Sequence, residues 1–315
     1  MIGKRNLGKA VVLGLLLSTG MYGAAWARED TTPIQAANLN EVIAEGDWTI
    51  TTNGSALAYD GLVDVKKGDL IIVANGGGAN AIEAGYMPDR AAELQIYANN
   101  INITSGANGM YTVLGEGKGG NIIFGSEDRK IQGLTIEAGG QGIDNKNGNV
   151  YIYGTDDSKF SIHSSNTSGD NTNQAAINNS SNGEIVMTGG SISLATVDRE
   201  VEVWGHKRTV TCTGDGITNS NGTTTLNFND VQMNVTGSGI RNIGSGTVSL
   251  NTKGSNTIIA RYAGSTSEVG YGVFSNGLGG GTINVIASET YDSEKGYSTL
   301  NTKTGYNNII YGQRG

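Results

Sequence analysis

Gly142-Ile143-Asp144-Asn145 is the first of four closely similar tetrads that indicate how this chain folds. The others are Ala176-Ile177-Asn178-Asn179, Gly216-Ile217-Thr218-Asn219 and Gly239-Ile240-Arg241-Asn242. Each tetrad lies between short runs of Val, Ile, Leu and Thr, which have the composition of strands. A motif that returns at such intervals is typical of stacked repeats. The tetrads therefore predict a β-solenoid.

The isoleucine of the tetrad marks one position of the repeat. The pattern predicts this position at Ile82, Val113, Ile143, Ile177, Ile217, Ile240, Val273 and Leu300. The shortest step, from Ile217 to Ile240, is 23 residues, which accommodates three short strands and three tight turns. We expect the longer steps to be the same coil with inserted loops. The predicted fold is an all-β parallel β-helix of about eight coils.

Asparagine has two predicted roles in the coil. An Asn-Gly pair follows the tetrad strand at Asn147-Gly148, Asn182-Gly183, Asn221-Gly222 and Asn276-Gly277. Such pairs supply the positive φ that many tight corners require. The last residues of the tetrads are Asn145, Asn179, Asn219 and Asn242. These side chains either form a ladder of stacked amides or stand at corners in the left-handed conformation, and both alternatives are structural.

The first residues are expected to be a secretory signal peptide, residues 1–27. Lys4, Arg5 and Lys9 form a basic region, residues 10–17 form a short apolar core, and Ala25-Trp26-Ala27 is a cleavage site. The apolar core is well short of the ~20 residues that a spanning helix needs. We therefore expect export across the inner membrane and removal of this segment.

Residues 28–51 are predicted to cap the solenoid with a short helix and a first strand. Asn38 and Glu41 have the spacing of a capping box, and Leu39, Val42 and Ile43 share one helical face. Gly46 is a natural helix stop, and a strand follows at residues 48–51. Residues 52–315 are then the β-helix itself, which we expect to continue beyond residue 315.

Composition narrows the class of protein. The net charge is −8, with 21 basic against 29 acidic residues, which argues against a nucleic-acid partner. One cysteine excludes a disulfide within the chain, and two histidines argue against a His/Cys metal site. No phosphate-binding loop or other cofactor motif occurs, so no cofactor is expected.

With its export signal, its predicted capping helix and its Gly- and Asn-rich coils, the chain resembles the N-terminal passenger region of a bacterial autotransporter. That resemblance implies a right-handed, pectin-lyase-like parallel β-helix at the cell surface or in the medium. It implies a translocator in the outer membrane as partner, either later in the same gene product or as a separate protein. We expect a non-catalytic role in adhesion or surface interaction through loops on the β-helix rod, with a host or matrix protein or glycan as partner.

Segments that interrupt the repeat are where we expect binding. The most charged and aromatic insertion, residues 198–212, contains Trp204, His206, Lys207 and Arg208, and Tyr291 lies in a second one. Trp and Arg are frequent contact residues in interfaces. The alternative function is a polysaccharide lyase or glycoside hydrolase. Its carboxylates would be Asp144, Asp156 and Asp157.

Overall fold

The computed structural model describes residues 28–31, 34–36, 41–85, 92–112, 120–165, 174–180, 182–196, 199–203, 206–210, 214–260, 271–275, 281–287, 291–292, 297–298 and 308–312. The predicted signal peptide lies outside these residues. The strands are β1 Arg28–Asp30, β2 Ile34–Ala36, β3 Glu41–Ala44, β4 Trp48–Thr52, β5 Leu57–Tyr59, β6 Gly61–Val65, β7 Leu70–Ala74, β8 Ile82–Ala84, β9 Glu93–Tyr97, β10 Asn100–Ser105, β11 Met110–Thr112, β12 Asn121–Phe124, β13 Ile131–Ala138, β14 Ile143–Asn145, β15 Asn149–Ser164, β16 Gln174–Asn179, β17 Glu184–Thr196, β18 Arg199–Val203, β19 His206–Val210, β20 Gly214–Asn219, β21 Thr223–Val235, β22 Ile240–Asn242, β23 Thr247–Thr252, β24 Asn256–Ala260, β25 Val273–Ser275, β26 Thr282–Ala287, β27 Tyr291–Asp292, β28 Tyr297–Ser298 and β29 Asn308–Gly312. Among the described residues there is no helix of the length and hydropathy that a membrane crossing requires.

Parallel strands stacked in three rows make up most of the fold, so the all-β, parallel prediction is confirmed. The first row, β2-β5-β8-β11-β14-β16-β20-β22-β25, contains the tetrads. The second begins β3-β6-β9-β12, and the third begins β1-β4-β7-β10-β13. Both continue through the long strands β15, β17 and β21, after which β23 and β26 extend the second row and β24 and β29 the third. Each strand thus pairs with the equivalent strand of the next three-strand unit.

The predicted repeat position is confirmed in most units. Ile143, Ile177, Ile217, Ile240 and Val273 are successive partners in register. Between Ile82 and Ile143 the position is occupied by Met110, so Val113 was the wrong residue. Val113 and Leu300 themselves lie outside the described residues.

Inward side chains stack into columns that form the core. One column of the third row consists of Ile50, Ile72, Ile103, Ile136, Ile162, Leu194, Met233 and Ile258. Each of these side chains is at most 1% exposed. Full burial of one side chain of this size contributes about 1.5–3 kcal/mol. Stacking of apolar columns therefore contributes to holding successive units together.

The predicted capping helix is wrong. Residues 41–44 form β3, which pairs in parallel with β6, and β2 pairs with β5. Val42 is 8% exposed and Ile43 is 43% exposed, so the two side chains point to opposite faces, as in a strand. In a strand, the backbone N–H and C=O groups of this segment find hydrogen-bond partners on the next unit. In a short helix, they would have to find them within the segment itself. The strand predicted at residues 48–51 is confirmed as β4.

The glycines after the tetrad strands are required by close approach and not by positive φ. Gly148 and Gly183 do not have a positive φ, and the one described non-glycine residue that does is Lys67. A Cβ at Gly148 would overlap the carbonyl oxygen of Gly120, and one at Gly183 would overlap the carbonyl oxygen of Gly148. Successive units therefore pass one another at this corner with backbone against backbone. The prediction of positive φ at these turns is wrong.

Candidate functional site

The insertion predicted to carry binding residues folds as an antiparallel hairpin. Strands β18 and β19 form a two-stranded sheet of their own. The hairpin lies in the unit between Ile177 and Ile217, the longest step in the first row. His206 and Lys207 are exposed, and Lys207 lies opposite Glu202. The insertion therefore stands apart from the stacked rows, as predicted.

The other predicted binding residues are distributed over this hairpin and a second one. Arg208 lies on β19 opposite Val201, whereas Tyr291 lies on β27 opposite Ser298. Trp204 is outside the described residues. Because β18–β19 and β27–β28 are separate sheets, the structure does not join the predicted residues into one sheet.

The tetrad asparagines form a buried ladder. Asn145 Nδ2 donates to Asn179 Oδ1 at 3.0 Å, and Asn219 Nδ2 donates to Asn242 Oδ1 at 3.1 Å. The step between these pairs is bridged by Thr224, whose hydroxyl accepts from Asn179 Nδ2 and donates to Asn219 Oδ1. All four asparagines are 0% exposed. The ladder hypothesis is confirmed, with one bridged step, and the left-handed alternative is wrong because none of the four has a positive φ.

The same amides also close the turns that follow the tetrads. Asn145 Oδ1 accepts from the backbone N–H of Gly148 at 3.0 Å, and Asn219 Nδ2 donates to the carbonyl of Gly222 at 3.0 Å. Each buried amide therefore satisfies its polar atoms within the fold. The tetrad is a structural element, and a ligand would have to bind elsewhere.

A cleft of about 800 Å³ lies on the outside of the long strands. Its floor includes one outward-facing position of four successive strands: Tyr153, Thr188, Asn227 and Asn251. Asn251 Nδ2 donates to Asn227 Oδ1 at 2.8 Å, which makes a short second amide ladder on the surface. The charged side chains around it are Glu127, Asp128, Asp156, Lys130 and Lys253. The cleft thus combines an aromatic ring, amides and charges of both signs.

The carboxylates of the enzyme alternative do not share a site. Asp156 lines the larger cleft, and its neighbour Asp157 lines a separate cleft of about 650 Å³. Asp144 lies on β14, in the other large sheet, and is only 3% exposed. Glycoside hydrolysis requires two carboxylates about 5–10 Å apart across one bond. Asp144 lies in a different sheet from the other two aspartates, and Asp156 and Asp157 line different clefts.

Asp144 is held by its neighbours in the fold. Asn178 Nδ2 donates to its Oδ1 at 2.7 Å, and the ammonium of Lys146 lies 3.2 Å from the same oxygen. Burial raises the pKa of Asp144, and the opposing effect of Lys146 is smaller. Its carboxylate is occupied by structural contacts.

Asp215 is the more deeply buried carboxylate, with 0% exposure. Its Oδ1 accepts from the backbone N–H of Ser238 at 2.7 Å, and its Oδ2 accepts from the hydroxyl of Thr218 at 2.9 Å. The guanidinium of Arg241 lies 3.6 Å from Oδ2. Burial nevertheless raises the pKa of Asp215, since desolvation outweighs these partners. The group is a structural ion pair whose strength depends on pH.

No group of three or more His, Cys, Asp or Glu side chains in the described part of the chain is arranged to hold a metal ion. Comparison with known proteins adds no family: no family model, no curated protein and no solved structure matches this chain.

Tyr153, Asn227 and Asn251, which line the larger cleft, were not predicted from the sequence. The alternation in residues 150–153 places Tyr151 and Tyr153 on the outer face, which was the available signal. Asn227 and Asn251 carry no motif, because they become neighbours only through the register of β21 and β23. The register of the strands brings Tyr153, Asn227 and Asn251 together, and the sequence does not reveal that register.

Proposed function

We propose that this chain is a right-handed parallel β-helix that is exported and acts at the bacterial cell surface as a binding rod. The three rows of parallel strands support the helix, and strand–crossover–strand connections of this kind are right-handed in about 98% of cases. The basic and apolar segments of residues 1–27 support export. An outer-membrane translocator would complete the export route.

The larger cleft is the observation that carries the proposed function. Its volume of about 800 Å³ is in the range of ligand sites, and it extends across four successive strands. Tyr153 offers a ring face, and the amides of Asn227 and Asn251 offer donors and acceptors to hydroxyl groups. Three carboxylates against two ammonium groups give no excess of positive charge. These features fit an extended, uncharged glycan better than a polyanionic one.

The glycan proposal is tested with the secreted protein on an array of neutral and acidic glycans. We expect binding to a neutral oligosaccharide, weakened about tenfold or more by Tyr153→Ala, the loss of a contact aromatic. Tyr151→Ala is the matched control, since this tyrosine lies on the same face of β15 but outside the cleft. Absence of neutral-glycan binding, or an equal loss in both variants, would overturn the proposal.

A protein partner would engage a different surface, the β18–β19 hairpin. Its exposed His206 and Lys207 stand outside the stacked rows, which is the observation that favours this second contact. Deletion of residues 199–210 should abolish attachment to host cells or matrix protein and leave glycan binding at the cleft intact. If attachment survives the deletion, the hairpin has no role in it.

A further inference from the structure

Three side chains on the outer face of β13 and β15 form a continuous hydrogen-bonded chain. Ser161 Oγ lies 3.0 Å from His163 Nε2, and His163 Nδ1 lies 2.8 Å from Glu137 Oε1. Ser161 and His163 are two residues apart on one strand, so they share a face. Glu137 is the register partner of His163 on the adjacent strand. The arrangement is therefore fixed by sheet geometry.

The order of the atoms is that of a nucleophile, a base and an orienting carboxylate. Glu137 accepts from Nδ1–H and so selects the tautomer whose Nε2 lone pair faces Ser161. The serine hydroxyl then donates to Nε2, which is the contact that activates a serine nucleophile. The histidine is partly exposed, with 28% of its side chain accessible, so a substrate can reach it.

Space for a substrate begins next to the serine. The cleft of about 650 Å³ is lined by Thr135, the register partner of Ser161, and by Lys159, two residues before it on the same face. Its lining also includes Asp69, Asn100, Asn102 and Gln132. Because this lining is mainly polar, it suits a short acyl group on a hydrophilic alcohol and offers little surface to a long alkyl chain.

Donors for a developing oxyanion flank the nucleophile. Thr135 and Ser193 are the partners of Ser161 on the two neighbouring strands, so a hydroxyl group stands about 4.8 Å to either side. The ammonium of Lys159 adds a positive charge on the same face. Donors aimed at the developing negative charge are the main requirement of acyl-transfer catalysis.

We propose that Ser161 and His163, positioned by Glu137, hydrolyse short-chain esters of polar alcohols. Ser161 Oγ attacks the ester carbonyl while its proton passes to His163 Nε2. The carbon–oxygen bond to the alcohol then breaks, and His163 returns the proton to the departing alkoxide, which leaves an acylated Ser161. Water, deprotonated by His163, attacks this second ester and releases the carboxylic acid, and Ser161 recovers its proton.

The test uses the secreted protein with p-nitrophenyl acetate as substrate and a fluorophosphonate as an active-serine label, read by mass spectrometry. We expect a label or acetyl group on Ser161, lost in Ser161→Ala. Hydrolysis should fall about 100-fold or more in His163→Ala, the usual contribution of a positioned base. Glu137→Gln should lower kcat and leave KM little changed. A loss of substrate binding would instead raise KM.

Two control variants measure the labelling and the ester hydrolysis that do not depend on the proposed site. Ser249→Ala removes an outward-facing serine on β23, remote in sequence from the proposed machinery. Ser245→Ala removes an exposed serine just before β23 and so measures labelling of an accessible hydroxyl without a base. Both should retain the labelling and the rate of the unaltered protein. Absence of any adduct on Ser161, or labelling that survives His163→Ala, would overturn the proposal.

Discussion

Replacement of Asn219 by alanine tests whether the buried amide ladder stabilises the stack. Asn219 makes three side-chain hydrogen bonds: to the carbonyl of Gly222 at 3.0 Å, to Asn242 Oδ1 at 3.1 Å and from the hydroxyl of Thr224 at 3.1 Å. The residue is 0% exposed, so water does not replace these partners in the variant. The substitution therefore removes one amide and deprives three buried groups of a partner.

The expected loss follows from these contacts. Each hydrogen bond contributes about 1 kcal/mol net, so losing three lowers the free energy of unfolding by about 3 kcal/mol. If the buried partners are left without a hydrogen bond, the loss rises to about 4 or 5 kcal/mol. Thr224 also accepts from Asn179 Nδ2, so its hydroxyl keeps one partner. For this reason we expect the lower part of the range, about 3 kcal/mol.

The assay is urea unfolding of the protein followed by far-UV circular dichroism. Asn251→Ala is the matched control, because its Nδ2 makes the same amide–amide bond to Asn227 Oδ1 at 2.8 Å on the outer surface. Both of these asparagines are only partly buried, so water can replace the lost partner and that variant should lose only about 0.5 kcal/mol. A loss below about 1 kcal/mol for Asn219→Ala, or equal losses in the two variants, would refute a stabilising role for the buried ladder.

Three further predictions concern packing, pH and the first unit. Gly239→Ala should destabilise by about 1–3 kcal/mol in the same urea assay, since its Cβ would overlap a neighbouring isoleucine and a backbone carbonyl, whereas Ala176→Gly at the equivalent position should cost about 1 kcal/mol or less. Because burial raises the pKa of Asp215 above 3.8, the folded protein holds that proton more tightly than the unfolded chain does. Its contribution to the free energy of unfolding is present below that value and is lost as pH rises through the raised pKa. Urea titrations between about pH 4 and pH 7 should therefore show the unaltered protein losing stability relative to Asp215→Asn as the pH rises. Val42→Asp should lower the thermal midpoint by several degrees and Ile43→Asp should not, whereas equal effects would contradict the assignment of β3 as a strand.

The sequence was sufficient to predict the repeat because the interior of a parallel stack is chemically uniform. Each unit presents the same apolar and amide environment to the next one, so Ile143 and Asn145 recur with little variation. The prediction of a capping helix was wrong because the same residues fit two patterns. Val42 and Ile43 satisfy a helical spacing as well as an alternating one, and only pairing with β6 decides between the two.

The outer surface could not be predicted in the same way, because its side chains vary from unit to unit. Glu137 and His163 are 26 residues apart in the chain, and β13 and β15 shift register after Ile131 before these residues pair. No spacing rule anticipates that shift. Asn227 and Asn251 likewise become neighbours only through the register of β21 with β23.

A uniform interior and a variable exterior have a consequence for where chemistry can arise in this fold. The register places outward side chains that are partners on adjacent strands about 4.8 Å apart, so a single substitution in one unit creates a new neighbour pair without disturbing the core. On the face of β15, the column of Ser161 reads Thr135, Ser161, Ser193, and that of His163 reads Glu137, His163, Ala195. Among the described strands, a carboxylate, an imidazole and a hydroxyl meet at one level, where β13 pairs with β15. Activity on such a surface would be confined to that level, which belongs to the outward columns and not to the repeated tetrad.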